Sequence, residues 1–185
     1  MKIGLLIEDV RGKEAFILLS RRILGKGIGI EVRSPKGASL LDEKKVLARI
    51  QKNLLQDHPD LSKILICVDK DCVEEREREV RDLERRIKKK IKKPIFYILV
   101  THAFEGWLLG DLSEIQEYLH SDMKISPKVT LDCNPKDEIK KIFEKAGKEY
   151  LSSRDAHQIA KRIDLEEVAR NNESFGKFRE KVIDP

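Results

Sequence analysis

The sequence predicts an α/β fold: a mostly parallel four-stranded sheet with helices on both faces, followed by a helical C-terminal extension. Three observations predict it. Short apolar runs alternate with segments of helical periodicity through the first half of the chain. The third run, "KILICVD", is almost continuously apolar, as a strand covered on both faces is. From about Leu112 onward the chain reads as mainly helical.

Taken in order, "KIGLLIE" (2–8) is a buried strand. "KEAFILLSRRIL" (13–24) spaces Phe16, Leu19 and Ile23 along one helical face, widened by Ala15 and Leu18. "IGIEVR" (28–33) follows a Gly-rich turn and alternates as a second strand should, and "EKKVLARIQKNLLQ" (43–56) puts Val46, Leu47, Ile50 and Leu54 on one helical face. "KILICVD" (63–69) and "PIFYILVT" (94–101) are the third and fourth strands, with Pro94 at its permitted first position. Between them, residues 73–93 carry a narrow apolar seam (Val73, Val80, Leu83, Ile87, Ile91) and i,i+4 pairs such as Glu77/Arg81 and Glu84/Lys88. Acid dominates the first turns of that segment and base the last, matching the helix dipole. Helical patterns continue in "LSEIQEYL", "PKDEIKKIFEKA", "DAHQIAKRI", "DLEEVAR" and "SFGKFREKV", with Asn134-Pro135 and Asp164 as helix-start punctuation.

A chain of 185 residues with 40% hydrophobic content can bury one sizeable core, so residues 1–111 are expected to form the α/β core and 112–185 an extension packed onto it. The charged fraction is 38%, yet the net charge is only +5 because both signs are interspersed. A pI near 9.0 permits a polyanionic partner without demanding one. The lysine-rich end of the third helix, Lys88, Lys89 and Lys90, reads either as a nucleic-acid contact or as a solvated helix end. The three cysteines form no C-x-x-C pair, so neither a disulfide framework nor a zinc knuckle is suggested, and a reducing cytoplasmic setting fits. The first apolar run is too short for a signal peptide, and nothing approaches a membrane span.

The chemistry lies at the strand ends. In a parallel sheet all carboxyl ends point to one edge, where α/β folds bind ligands. Strand one ends on Glu8-Asp9, strand three on Asp69-x-Asp71, and strand four runs into "THAFEGWLLGD", bringing Glu105 and Asp111. Repelling carboxylates persist at such an edge when a hard cation neutralises them, and Mg²⁺ (or Mn²⁺) takes carboxylate and water oxygens. Each acid also has a bland reading. An Asp just after a strand, such as Asp71 or Asp9, could be a helix N-cap or a turn former, and Glu14 sits in a first helical turn where the dipole alone accounts for it. Trp107, Leu108 and Leu109 read as core, and the single His102 is poor support for a metal site.

A strand ending in Glu and another ending in Asp-x-Asp resemble the TOPRIM domain of topoisomerases, primases and OLD-family nucleases, itself a Rossmann-like fold. "IGLLIEDVRGKEAFILLSRRIL", "ICVDKDCVEERERE", "THAFEGWLLGD" and "NNESFGKF" together are similar to a TOPRIM-like family of uncharacterised proteins, domain of unknown function 4276. The resemblance implies a four-stranded TOPRIM core with Glu8 as its glutamate, Asp69 and Asp71 as the metal-binding pair, and Glu105 and Asp111 as the family's own acidic segment. Nuclease-type TOPRIM proteins carry a Gly directly after the first Glu and a second acid four residues on; here Asp9 and Gly12 stand in those places, and the next acid is Glu14. Members of the family often accompany ATPases in prokaryotic defence loci, which implies a role there.

Three functions compete at this stage. The first is a Mg²⁺-dependent phosphodiester hydrolase on DNA or RNA, with Asp69 and Asp71 holding the metal and Glu8 as acid, base or further ligand. The second is a non-catalytic TOPRIM scaffold serving a partner ATPase. The third is a receiver-like phosphoacceptor, suggested by "LLIEDV", Asp69 and Thr101 but wanting a fifth strand that ends in Lys; "KISPKVTLDC" is a poor candidate for it.

Overall fold

A computed structural model describes residues 2–8, 12–25, 27–34, 40–71, 73–101, 103–125 and 133–184. The strands β1 (Lys2–Ile7), β2 (Gly29–Arg33), β3 (Lys63–Asp69) and β4 (Ile95–Val100) form one sheet in the order β2-β1-β3-β4. All its pairings are parallel, as the alternation of strand and helix predicts.

The strand period of two sorts the side chains onto two covered faces. Ile3, Leu5 and Ile7 of β1 join Leu65, Cys67, Ile98 and Val100 against α1 (Lys13–Leu24) and the C-terminal helices. On the other face Leu6, Ile64, Ile66, Val68 and Ile95 meet α2 (Glu43–Arg49), its π-helical continuation (Ile50–Leu55) and α3 (Arg76–Lys88). The helices that leave β1 and β3 therefore lie on opposite faces. Between the ends of these two adjacent strands a crevice opens, the usual place for a ligand in such a sheet.

Helix α3 is shorter than the predicted seam, and its charges are used differently. Glu84–Lys88 forms at 2.6 Å, but Arg86 and Lys90 reach across to Glu43 of α2 at 2.8 and 2.6 Å. These pairs tie two neighbouring helices together rather than lacing one.

The second half folds as α4 (Glu105–Leu108), α5 (Leu112–Leu119), α6 (Pro135–Lys145), α7 (Ser152–Arg162), α8 (Leu165–Asn171) and α9 (Glu173–Ile183). Asn134 and Asp164 cap α6 and α8, as their punctuation predicts. Helix α1 packs against α7 and α9, and α9 against β4, so the extension shares one apolar core with the sheet. At its centre Trp107 is ringed by Phe16, Phe175 and Phe178, with ring centroids 4.9–5.3 Å away. Among the described residues no helix is long and apolar enough to cross a membrane.

One polar residue organises this aromatic centre. The buried Ser174 Oγ accepts from the Thr101 amide (2.9 Å) and from Trp107 Nε1 (2.8 Å), and donates to Asn172 Oδ1 (2.7 Å). Ser174→Ala leaves two donors without their acceptor, and roughly 2–5 kcal/mol of stability should be lost. In urea unfolding the midpoint should fall with an unchanged slope. A change within about 0.5 kcal/mol, ordinary for a surface site, would show that the network is dispensable.

Candidate functional site

Glu8 is the first residue beyond β1, and the register that sets Ile7 opposite Cys67 brings it level with the end of β3. There the Asp69 amide donates to Glu8 Oε2 at 3.3 Å. Asp71 follows in the left-handed region, at φ 49°. Asp tolerates this conformation better than most residues. The residue preceding α3 is Glu75, so Asp71 does not cap that helix; it stands in a turn, the other part of its bland reading.

Glu105 comes from a third direction. It is the first residue of α4, only 4% exposed, and Ser152 Oγ lies 3.5 Å from its Oε1. The turn that delivers it is tight: a Cβ on Gly106 would stand 2.8 Å from the Thr101 carbonyl oxygen, so only glycine lets α4 lie against the end of β4. Asn172 Nδ2 donates to the Gly106 carbonyl at 3.1 Å, closing the same unit.

Glu8, Asp69, Asp71 and Glu105 line one cleft of about 370 Å³, walled on the far side by Ala103, Cys133 and the start of α6, Asn134, Pro135 and Lys136. Among the described residues no three His, Cys, Asp or Glu side chains are grouped so as to form a ready-made metal site. The donor chemistry nonetheless suits Mg²⁺. All four acids offer hard oxygen donors, and this ion usually takes one or two carboxylates and completes its shell with water and substrate phosphates.

The remaining expected acids lie elsewhere. Asp111 is buried as the cap of α5: its Oδ1 accepts from the Glu114 amide and Ser113 Oγ, and its Oδ2 from the Asp164 amide at 2.8 Å. It is a structural knot and does not line the cleft. Glu14 is exposed in the first turn of α1, also outside the lining. Asp9 and His102 lie outside the described residues, as does most of "KISPKVTLDC". Lys88, Lys89 and Lys90 sit at the far end of α3, about 20 Å along its axis from the end nearest the acids. Lys88 and Lys90 are ion-paired there, to Glu84 and Glu43. Cysteine spacing suggests no disulfide, yet Cys133 is disulfide-bonded while Cys67 is a buried free thiol. Spacing misses such a bond because the fold, not the sequence interval, brings cysteines together.

Two cations near the cleft escape the sequence reading. Lys136 lines it directly, and Arg76 lies close enough to act on Glu8. The first is hidden behind the Asn-Pro helix start, and the second among the alternating Glu and Arg of "VEEREREV".

Glu8 feels Asp69, Asp71 and Arg76. Partial desolvation of its carboxylate, in a residue that stays exposed, raises its pKa above the ordinary value, against the lowering by the Asp69 amide; Asp71 adds to the rise and Arg76 opposes it. A carboxyl raised by folding stays protonated in the native state after the unfolded chain has lost its proton. The stability of the metal-free protein should therefore fall as pH climbs through the window from the unfolded value of 4.5 to the raised native one. Glu8→Gln removes this cost. Its melting temperature should match the wild type below that window and exceed it at neutral pH in chelator. Parallel curves across the whole range would overturn the electrostatic account of Glu8.

Residues 13–183 match the family model described as Domain of unknown function (DUF4276). The match takes in Asp69, Asp71 and Glu105 and begins after β1 and Glu8. No curated protein and no solved structure matches the chain. That match spans most of the sequence, and the chain belongs to the DUF4276 family.

Proposed function

We propose that the protein is a Mg²⁺-dependent phosphodiester hydrolase acting on DNA or RNA. The observation that carries this reading is the convergence of Glu8, Asp69, Asp71 and Glu105, from three strand ends, on one cleft at the β1/β3 crevice. The likeness of Glu8 and Asp69-x-Asp71 to the TOPRIM pattern supports the same chemistry, with a cytoplasmic role in prokaryotic defence beside a partner ATPase.

Asp69 and Asp71 would hold the ion, Mg²⁺ or Mn²⁺. When bound, such an ion polarises a phosphoryl oxygen and makes water at the site more acidic. The rest falls to the chain itself. Glu8, with its raised pKa, can accept a proton at Oε1 while the Asp69 amide fixes Oε2, so the carboxylate is held in one orientation for proton transfer. Glu105, nearly buried beneath the cleft, adds an acceptor whose position is set by α4.

The test is a cleavage assay of the purified protein with Mg²⁺ or Mn²⁺ on single- and double-stranded DNA and RNA. Asp69→Asn and Asp71→Asn should each lower cleavage on the order of a hundredfold or more. Asn also tolerates the left-handed region, so the Asp71 turn survives and the metal-free variant should be as stable as the wild type or slightly more so. Its Mg²⁺-dependent rise in melting temperature should shrink, where full site occupancy stabilises the wild type by about 2.7 kcal/mol at a hundredfold excess over the dissociation constant. No cleavage of any form with either ion, and no response of the melting temperature to them, would overturn the hydrolase and leave the non-catalytic scaffold.

A further inference from the structure

An acidic cleft that accepts a polyanion must provide positive charge of its own beyond the reacting centre. Four carboxylates face the space a phosphate would enter, and one divalent ion cannot balance them together with the phosphates on either side of the scissile bond. The protein's cations near the cleft therefore decide what it can hold.

Lys136 is the one basic residue among those lining the cleft, and among the described residues it makes no ion pair. It sits in the first turn of α6, directly after the capping Asn134 and Pro135, where the helix dipole disfavours a cation; the neighbouring Asp137 and Glu138 are what that turn prefers. Nothing in the fold of α6 calls for a lysine there. The cleft does.

Arg76, the first residue of α3, stands outside the lining but near Glu8. Its side chain is 17% exposed, and among the described residues the guanidinium makes one long contact, Nη1 to Glu79 Oε2 at 3.4 Å. Its Nε is buried without a hydrogen-bond partner among the described residues. It is near enough to Glu8 to pull that carboxyl downward, yet no hydrogen bond joins the two. A five-donor fork so little used, beside a cleft of oxygen ligands, is suited to a phosphate oxygen. The lysines at the other end of α3 are unsuited, being distant and largely paired.

We propose that Arg76 and Lys136 hold backbone phosphates of a polynucleotide strand, Lys136 from the lining of the acidic cleft and Arg76 from beside Glu8. This inference rests on the hydrolase reading and names its substrate class: a chain of phosphodiesters, read through its backbone and indifferent to base sequence. Phosphate contacts of this kind release counterions, so each contributes a fixed part of the salt dependence of binding.

The experiment measures fluorescence anisotropy of a labelled single-stranded oligonucleotide and of its duplex, with Ca²⁺ replacing Mg²⁺ to hold cleavage off, across a salt series. Arg76→Gln and Lys136→Gln should each weaken binding on the order of ten- to a hundredfold. Each should flatten the slope of log K against log salt by about 0.7 for the single strand or about 0.9 for the duplex. Arg76→Lys, which keeps the charge, should restore the slope, and replacing Lys88, Lys89 and Lys90 together by Gln should leave it unchanged. Should Arg76→Gln fold poorly, Arg76→Lys and the helix-surface variant Lys136→Gln, at a half-buried position, still decide the matter. Wild-type slopes in both Gln variants overturn the phosphate assignment, while cleavage by the same wild-type preparation leaves the hydrolase standing. Slope losses as expected in a protein that never cleaves support the assignment and overturn the hydrolase. A wild type that binds neither probe overturns both.

Discussion

The parallel pairing of β1 with β3 is the constraint from which the rest follows. Both strands are central, and both are covered on two faces, so their side chains have no solvent side on which to misplace a residue. Sliding β1 by one position would drive Ile3, Leu5 and Ile7 out of the α1 layer and into the layer filled by Leu54 and Leu61. That second layer is already tight: a Cβ on Gly4 would meet Leu61 Cδ1 at 3.0 Å and Leu54 Cδ1 at 3.3 Å. Burial thus pins the register, and the register sets Glu8 beside the Asp69 amide. The acids are gathered by the packing of residues that have no chemistry themselves.

Glu105 depends on a second, longer-range device. Residues 105–111 and 171–174 are far apart in sequence but form one hydrogen-bonded unit: Trp107 to Ser174, Asn172 to the Gly106 carbonyl, and Asn171 to the Gly110 carbonyl at 2.8 Å. A buried serine among aromatic rings would be costly if its partners were missing; with all of them present it fixes a single arrangement. The late Ser-Phe motif is therefore a clamp on α4, and through α4 on the acid that faces the cleft.

Much of the architecture was legible because strands and helices write different periods into the chain. "KILICVD" is recovered as β3 residue for residue, and the four strands fall where their apolar runs lie. The site was legible only in part, because a carboxylate's role depends on what surrounds it. Glu105 and Asp111 stand in one motif, yet α5 begins immediately after Asp111 and recruits it as a cap, while Glu105 opens α4 toward the cleft. Helix direction, which the βαβ reading already contained, excludes Lys88–Lys90 from the acid edge: a helix leaving β3 starts at that edge and ends at the other. The same direction places Arg76 at the acids, but the eight charges of "EEREREVRD" mask it as one more surface pair.

The cleft also keeps its charge because of what Lys70 does. Standing between Asp69 and Asp71, it could neutralise both. Its amide instead continues the ladder by donating to the Val100 carbonyl at 2.9 Å, and its Nζ pairs with Glu77 at 2.7 Å. Asp71 then enters its left-handed turn, so the two acids line the cleft without the lysine that separates them. A chain carrying net charge +5 thereby presents a local negative site at this crevice, with Lys136 in its lining and Arg76 near Glu8. The long-range field of the protein is the sum of all its charges, and salt screens it beyond about 10 Å. At short range a few groups govern the field, and at this crevice, lined by four carboxylates, its sign reverses.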